Sequence, residues 1–488
     1  MGQISCAGMG YMTLMNSLLN FKAMNAAAIS NSASGGYKAI VCILQAGGND
    51  SFNTLIPITD HAEYALTRSN LAIPNYDSGI ETEPMNPAYL NNVRLLSGTH
   101  QMGKQYGVHP SLTGVQNLFN NNKLSFISNI GTLMSPTDKT QYFNNTRTLP
   151  LGLFSHSDQI QQWQTAIMDK RTATGWGGKI ADLIGDQNMN QNISMNFTLS
   201  GTNIFQSGNS NVEYAISENG SIGINGYDPN STWIYNQLRT QAIDNMLSET
   251  YQDVFKKTYV DTIKQSKSAH EEFSIAINKY NEFEIDGAHE NVFNAANPIS
   301  QKLKMIARTI AVSTEEANNG NVNSSDVLDF NRQIFFVNFG GWDHHDELLD
   351  SQVGMLGVLG NALEEFNEAL QLIGMEDCVL TMTTSEFGRT LTSNGDGSDH
   401  AWGGNVMVMG GDNLINGGKI FGTYPSLQLG SDNEIGNGVL LPTTATDCYF
   451  AEASKWFGVS NGDINNIFPR LAEFHSINSS PRPIGFLK

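Results

Sequence analysis

Basic residues are scarce in this chain. Its 488 residues include 27 Lys and Arg against 47 Asp and Glu, which gives a formal net charge of −20. Proteins that bind nucleic acids or anionic membrane surfaces do so through clusters of basic residues. We therefore expect neither as a partner. A highly charged anionic substrate is disfavoured as well, unless bound metal ions reverse the local charge.

Several common motifs are also absent. The four cysteines have no Cys-x-x-Cys spacing, which argues against zinc fingers and thioredoxin-type redox chemistry. There is no Walker motif, and Gly47 and Gly48 lack the spacing of a dinucleotide-binding loop. Apolar residues make up 40% of the chain, which is sufficient for a large core. A single large α/β domain is therefore the expected architecture.

The N-terminus has an apolar stretch, Tyr11 to Phe21, that is too short and too interrupted to span a bilayer. The small residues that follow suit cleavage by a signal peptidase, although no basic residue precedes Lys22. We predict that residues 1–28 are a truncated export signal and that the protein is periplasmic or extracellular. A helix packed on the body of the protein is the alternative. The sequence predicts no membrane span.

Three buried-strand patterns each run into glycines or polar residues. They are Lys38–Ala46, Arg332–Asn338 and Cys378–Thr384. In open α/β sheets, ligands bind outside the carboxyl ends of the strands. We therefore expect one crevice to collect the residues that follow, namely Asp50, Asp343, His345 and Glu386. Mixed carboxylate and imidazole ligands suit a divalent metal of the zinc or manganese type.

Each of these residues also has a simpler interpretation. Asp50 is of a type that caps helices. Glu386 lies three residues before Arg389, a spacing that suits an ion pair. For either His344 or His345, the simpler interpretation is a histidine on the protein surface. Their joint occurrence at predicted strand ends favours the metal site.

The pattern along the chain fits one domain over residues 38–488. Strands and helices alternate from 38 to about 200, which favours a parallel sheet. The predicted elements include a helix that starts near His109, a strand at 192–199 and a helix at 443–457. Between about 229 and 281 the pattern is helical, and we predict an insert of one or two long helices there.

Six short motifs occur in an order that resembles a known family. They are Gly-Gly-x-Asp-x-x-Asn-Thr from 47, His-Pro-x-Leu from 109, Ser-His from 155, Gly-Trp-Asp-x-His from 341, Ser-Glu-Phe-Gly-Arg from 385 and Asp-His-x-Trp-Gly from 399. The resemblance is to the family catalogued as domain of unknown function 1501, which is related to the alkaline phosphatase and sulfatase superfamily. It implies a doubly wound, mostly parallel sheet with helices on both faces and a two-metal hydrolytic centre at its carboxyl edge.

The resemblance also implies a ligand set, which consists of Asp50, Asp343, His345, Glu386 and His400. We include Asp399, although an Asp in a loop turn is the alternative explanation there. Phe387 stands where the superfamily has a histidine, which points to one fewer ligand. We expect one or two divalent ions, zinc or manganese first, with calcium or magnesium as alternatives. His345 keeps the family's spacing, so His344 should face solvent or a carboxylate such as Asp346.

The nucleophile implied by the resemblance is Ser155, which precedes a helical pattern. A helix N-terminus favours an anionic group, but a serine there is also an ordinary N-cap. Thr54 is the next candidate. Within the same motifs, Asn53, His156 and Arg389 are candidate substrate-binding residues. Family members often carry a twin-arginine signal, and here the arginines would lie upstream of residue 1.

The sequence thus predicts an exported, metal-dependent hydrolase of phosphate or sulfate esters. Its substrate would be a small molecule or a polysaccharide ester. The alternative is a degenerate member of the superfamily that binds a ligand, a glycan or a partner protein without turnover. Neither the substrate nor the oligomeric state is indicated by the residues.

Overall fold

The computed structural model describes residues 36–76, 92–280, 292–317 and 327–488. The predicted signal over residues 1–28 lies outside them. Within the described part of the chain, no helix is long and apolar enough to cross a membrane.

The described segments form thirteen strands and eleven α-helices. The strands are β1 (Lys38–Ala46), β2 (Leu55–Pro57), β3 (Arg94–Leu95), β4 (Tyr106–Val108), β5 (Leu124–Gly131), β6 (Asn196–Thr198), β7 (Tyr214–Ser217), β8 (Gly220–Ser221), β9 (Arg332–Gly340), β10 (Val379–Thr384), β11 (Gly404–Met409), β12 (Ile420–Gly422) and β13 (Thr444–Ala445). The helices are α1 (His61–Arg68), α2 (Thr113–Asn120), α3 (Lys139–Phe143), α4 (His156–Thr165), α5 (Trp176–Ile184), α6 (Ile234–Ser248), α7 (Val254–Ile277), α8 (Pro298–Ala311), α9 (Leu348–Leu372), α10 (Thr446–Phe457) and α11 (Asn461–Ile467).

Ten of these strands form one sheet in the order β12-β5-β11-β10-β1-β9-β6-β7-β8, with β13 also paired to β5. Six of its pairings are parallel, and three (β10–β11, β11–β5 and β7–β8) are antiparallel. Strands β2, β4 and β3 form a small second sheet. The predicted α/β fold with a mostly parallel sheet is confirmed.

Strand β1 lies in the middle of the large sheet because its sequence is apolar without alternation. Its residues from Ala39 to Leu44 are all buried. A strand between two parallel neighbours is covered by helices on both faces, so both sets of side chains must be apolar. Its neighbours β9 and β10 begin with buried residues for the same reason.

The helices form two packed groups, as expected for a sheet covered on both faces. Helix α9 contacts both α2 and α8, while α5 and α10 both contact α11 and α4 contacts α5. In the first group, a Cβ atom on Gly114 of α2 would lie 2.4 Å from the backbone oxygen of Gly360 in α9, so only glycine permits this approach. In the second group, the ring of Trp176 stacks on Phe450 at 4.8 Å between centroids.

The segment predicted to be a helical insert forms α6 and α7. Residues 249–253 separate them. The side chain of Asp253 accepts a hydrogen bond from the backbone amide of Lys256 at 2.9 Å, which caps α7. The C-terminal half of α7 packs on the sheet through Phe273, whose ring lies 6.0 Å from Phe197 and 5.8 Å from Tyr214.

Three predicted boundaries differ from the structure. The helix expected near His109 begins at Thr113, because the ring of His109 accepts a hydrogen bond from the amide of Ser111 in a preceding turn. The strand expected from 192 begins at 196, because Asn190 caps a turn at residues 192 and 193. The helix expected from 443 begins at 446, because residues 444 and 445 pair with β5.

A buried carboxyl group in the first turn of α10 makes stability depend on pH. Asp447 is fully buried, and neither of its side-chain oxygens has a hydrogen-bond partner within the described chain. Burial raises its pKa to about 7, and the nearby backbone amides of Asp447 and Arg470 offset only part of this effect. In the unfolded chain the pKa returns to about 3.9.

Asp447→Asn should therefore stabilise the protein, and more so as pH rises. Because the folded protein binds the proton more tightly, stability is lost between about pH 4 and pH 7 and the loss is complete above that range. We expect the variant to exceed the parent in unfolding free energy by on the order of 2 to 4 kcal/mol at pH 8, and by much less at pH 5. Urea unfolding at both pH values measures this, with Asp261→Asn on α7 as the exposed control. An equal gain at both pH values would contradict the assignment.

Candidate metal centre

The carboxyl ends of three neighbouring strands bring the predicted site residues together. Ala46 of β1 pairs with Gly340 of β9, and Leu44 pairs with Thr384 of β10. The segments that follow therefore meet at one edge of the sheet. A Cβ atom on Gly47, whose φ is 124°, would lie 2.4 Å from the backbone nitrogen of Asp343, so glycine is required at this contact.

Two further histidines reach the same edge by other routes. Strand β11 runs antiparallel to β10, so His400, which precedes β11, lies beside the carboxyl ends of the parallel strands. His156 is the first residue of α4. It follows Phe154, whose φ of 69° is unusual for a residue other than glycine and turns its carbonyl oxygen toward His400.

Three imidazole rings and one carboxylate converge at this edge. The Nε2 atom of His400 lies 3.0 Å from Nε2 of His156 and 2.9 Å from Nε2 of His345. The Oδ1 atom of Asp343 lies 3.2 Å from Nε2 of His345 and 3.3 Å from Nε2 of His400, and its Oδ2 lies 3.4 Å from Nε2 of His156. We call His156, Asp343, His345 and His400 the histidine cluster.

The hydrogen bond made by the Nδ1 atom of each ring fixes the tautomer of that ring. Nδ1 of His156 lies 2.8 Å from a carboxylate oxygen of Glu386, and Nδ1 of His345 lies 3.2 Å from one of Asp399. Nδ1 of His400 lies 2.8 Å from the carbonyl oxygen of Phe154.

All three partners accept hydrogen bonds, so in the neutral rings the proton is on Nδ1 and the lone pair is on Nε2. Three lone pairs and a carboxylate then face one another at hydrogen-bond distances without a proton between the rings. Such an arrangement is repulsive by itself and fits a cation at its centre. His156, Asp343 and His400 satisfy the distance requirement for ligands of one ion.

The pKa values of three cluster residues shift in different directions. The hydrogen bond to Glu386 raises the pKa of His156, against the opposing effect of burial. Burial lowers the pKa of His400, and the neighbouring His156 and Arg389 add to this. Burial alone would raise the pKa of Asp343, but its contact with the Arg389 guanidinium outweighs burial and lowers it.

Glu386 and Asp399 lie one layer behind the cluster. Glu386 is fully buried and accepts hydrogen bonds from the Gly47 amide at 2.7 Å and from His156. It does not pair with Arg389, which was the simpler interpretation of its spacing. Asp399 accepts from His345 and from the side-chain amide of Asn394. Both carboxylates therefore orient histidine rings, as carboxylates behind metal ligands commonly do.

Asp50 lies at the same sheet edge but outside the cluster. Its Oδ2 is paired with the guanidinium of Arg68, and both side chains are buried. Arg68 also donates to the carbonyl oxygens of Thr390 and Leu391, at 3.0 and 3.3 Å. The other oxygen of Asp50 has no hydrogen-bond partner in the described chain. The structure thus gives the Asp50 carboxylate an internal cation as its partner.

Two of the predicted substrate-binding residues are enclosed by protein. Asn53 is fully buried, donates to the carbonyl oxygen of Leu71 at 2.9 Å and accepts from the hydroxyl of Tyr64 at 2.8 Å. Arg389 is also buried, and its Nε, Nη1 and Nη2 all donate to the protein; the acceptors are the carbonyl oxygens of Gly47, Gly48, Trp342 and Ser398 and the carboxylate of Asp343. The third, His156, lies in the cluster.

The prediction for His344 is wrong. Its side chain is buried, its Nδ1 has no hydrogen-bond partner within the described residues, and its ring lies against Trp342 at 6.2 Å. The reason is that the 344 side chain points back under the loop, while the next residue, His345, points to the open side. Phe387 is buried beside the cluster, with its ring stacked on that of His400 at 4.7 Å and tilted against that of His156 at 4.9 Å between centroids.

Ser155 is the N-cap residue of α4, and its side chain caps no backbone amide. Its hydroxyl oxygen lies 3.2 Å from that of Ser157. Thr54, the second candidate nucleophile, is buried and lies 3.3 Å from the side-chain nitrogen of Asn49. Of the two, Ser155 alone is partly exposed beside a cluster residue.

The sequence pattern predicted His156 as a substrate-binding residue and not as a member of the histidine cluster. The signal available was its position after Ser155 at the start of a helical pattern, which identified a helix N-terminus but not where that helix packs. Only the tertiary fold places the first turn of α4 against the ends of β1 and β10.

Comparison with known proteins identifies the family. The sequence matches the family described as "Protein of unknown function (DUF1501)" over residues 37–443. The chain belongs to this family. None of the curated proteins compared with it matches. Similar solved structures include Ps i-CgsB in complex with k-i-k-neocarrahexaose, at 9% identity and a TM-score of 0.34, over 90% of this chain and 77% of that one. Another is BT1596, a 2-O GAG sulfatase, at 8% identity and a TM-score of 0.26, over 79% and 66%.

Replacement of a cluster residue should remove metal from this family member. We expect Asp343→Ala and His345→Ala to lose stoichiometric divalent metal, since each removes one of the groups that face the centre. Elemental analysis after gel filtration measures the content, and circular dichroism checks the fold. His270→Ala on α7 is the matched control and should retain the parent content. Full metal content in both cluster variants would show that the ion is held elsewhere.

Proposed function

We propose that this protein is an exported, metal-dependent hydrolase of phosphate or sulfate esters. The observation that supports this most directly is the histidine cluster, in which three Nε2 lone pairs and the Asp343 carboxylate face a common centre. The cluster lies at the carboxyl edge of a mostly parallel sheet, where open α/β proteins bind their ligands.

The donor set favours zinc over the harder ions. Calcium and magnesium prefer ligand sets made of oxygen atoms, whereas three imidazoles with one carboxylate suit zinc, with manganese as the second choice. One such ion would polarise the ester oxygen and make an attacking oxygen nucleophile more acidic. We propose a single ion at the cluster, because the Asp50 carboxylate, which the resemblance places in the ligand set, is paired with Arg68.

The residues around the cluster hold it in position. Glu386, Asp399 and the carbonyl oxygen of Phe154 fix the three rings with their Nε2 atoms inward. Arg389 fixes Asp343 from behind and ties it to the glycines that follow β1. We infer that Arg389 is a positioning residue rather than a substrate ligand, since its donors are all used within the protein.

The side chains that face solvent would receive the ester. The exposed fractions are 45% for the Asp343 side chain and 43% for His345, against 23% for His400. Phe387 closes the inner side with its ring against two of the histidines. An ester would therefore approach from the side of Asp343 and His345, with Ser155 at the start of α4 next to His156.

Ser155 is the proposed nucleophile, and its replacement separates chemistry from metal binding. In Ser155→Ala we expect ester turnover to fall by about 10²-fold or more, while metal content remains at the parent level, because the hydroxyl is not among the groups facing the centre. The neighbouring Ser157→Ala is the matched control and should keep most of the activity. Turnover at the parent rate in Ser155→Ala would assign the attack to water instead.

The assay that tests the function is a panel of aryl phosphate monoesters, phosphodiesters and sulfates, offered to protein with one zinc or manganese per chain. Turnover of one class that is lost on chelation and restored by the metal is the expected result. Stoichiometric metal without turnover of any ester would favour the alternative, a member of the family that binds a ligand without hydrolysis. Phe387, which stands where the superfamily has a histidine, is the observation that favours that alternative.

Export is proposed from the N-terminal sequence. N-terminal sequencing of the native protein should begin after residue 28, since the small residues from Ala23 suit cleavage. A native protein that still begins at residue 1 would contradict the export signal.

A further inference from the structure

The loops around the histidine cluster carry an unusual excess of negative charge. Between Arg332 and Lys419 the sequence has thirteen acidic residues and a single basic one, Arg389. More than half of the net charge of the chain therefore lies in the segment that supplies Asp343, His345 and His400. Of the 27 Lys and Arg, only Lys22 lies outside the described residues. Segments 77–91, 281–291 and 318–326, which the structure does not describe, therefore contain no Lys or Arg.

Four of these carboxylates lie in the two loops that carry His345 and His400. We call Asp346, Glu347, Asp396 and Asp399 the acidic rim; all four are exposed. One contact joins the two loops of the rim. The Glu347 amide donates to a carboxylate oxygen of Asp396 in the other loop at 3.3 Å, and to one of Asp346 in its own loop at 3.1 Å.

The rim adjoins the cluster directly. Asp399 contacts His345, and a Cβ atom on Gly397 would lie 2.3 Å from the carbonyl carbon of His345. Within the described chain, no Lys or Arg forms an ion pair with a rim carboxylate. A substrate that reaches the exposed face of Asp343 and His345 therefore passes carboxylates that no described Lys or Arg pairs with.

One divalent ion does not reverse the sign of this region. The two charges of the ion and the charge of Arg389 would face six carboxylates, namely Asp343, Glu386 and the four of the rim. Carboxylates at an opening repel anionic ligands and attract cationic ones over a distance of about 10 Å at 0.1 M salt. The inward Nε2 atoms of the histidine cluster are a separate reason to place a ligand here, and of the rim residues only Asp399 also orients a cluster ring.

We propose that the site selects esters whose leaving group carries a positive charge and rejects those with an anionic leaving group, such as polyanionic sulfated glycans. This inference rests on the proposed function and specifies its substrate class. The ester oxygens would meet the ion and the start of α4, while the cationic end of the leaving group would lie over the rim.

A matched set of substrates tests the selection. The phosphate and sulfate esters of choline, of its uncharged isostere 3,3-dimethylbutanol and of the anionic 4-hydroxybutanoate differ mainly in charge. We expect kcat/KM to be roughly tenfold higher for the choline ester than for the isostere, and lowest for the anionic ester. This preference should shrink as salt is raised from 0.01 to 0.5 M. An equal or reversed order would overturn the proposal.

Variants of the acidic rim test whether its residues cause the preference for the choline ester. Asp346→Asn with Glu347→Gln should reduce the choline preference to a few-fold or less while leaving turnover of the uncharged isostere near the parent value, since neither residue faces the centre of the cluster. Asp261→Asn with Glu249→Gln, on the helical insert, removes the same charge and should preserve the preference. A preference that persists in the rim variant would assign selection to other residues and overturn the role of the rim.

A binding measurement distinguishes failure of this inference from failure of the proposed function. Calorimetry compares 3-(trimethylammonio)propylphosphonate with its uncharged isostere 4,4-dimethylpentylphosphonate, neither of which has an ester bond to hydrolyse. Tighter binding of the cationic compound supports the selection even if no ester is turned over. Equal affinities, or no binding of either compound, overturn it even if simple esters are hydrolysed.

Discussion

The parallel pairing of β1 between β9 and β10 is the constraint on which the rest of the structure depends. It fixes three strand ends side by side, so that Gly47, Asp343 and Glu386 become neighbours although they are far apart in sequence. The close contact at Gly47 then leaves no room for a shift of register, because a residue with a side chain would collide with the backbone of Asp343. The cluster, the positioning arginine and the rim all follow from that arrangement.

Much of this arrangement was predictable because β1, β9 and β10 are rich in apolar and β-branched residues and their ends are marked by glycine or polar motifs. Shorter elements gave no comparable signal. Strands β12 and β13 have three and two residues, and they exist because β5 offers an edge rather than because of their own sequence.

The site shows the same division between local pattern and tertiary context. A residue after a strand can be placed from sequence alone, and Asp343, His345 and Glu386 were found in this way. The pairing of Asp50 with Arg68 could not be, since it requires knowing where α1 lies relative to the sheet. Likewise, His344 is buried and His345 is exposed because of the backbone turn that contains them, which the sequence pattern did not indicate. The local sequence pattern indicates which residues lie at the carboxyl edge of the sheet, and tertiary packing determines what they contact there.

The origin of the cluster residues in distant parts of the chain bears on when an ion can be bound. His156 and His400 are separated by 244 positions, and only Asp343 and His345 are close in sequence. An unfolded chain therefore offers no preformed chelate, and the site appears only once the slow, long-range strand pairings are complete. Metal loading would consequently be a late step in biogenesis, and a bound ion would join segments whose separation otherwise makes their association entropically costly.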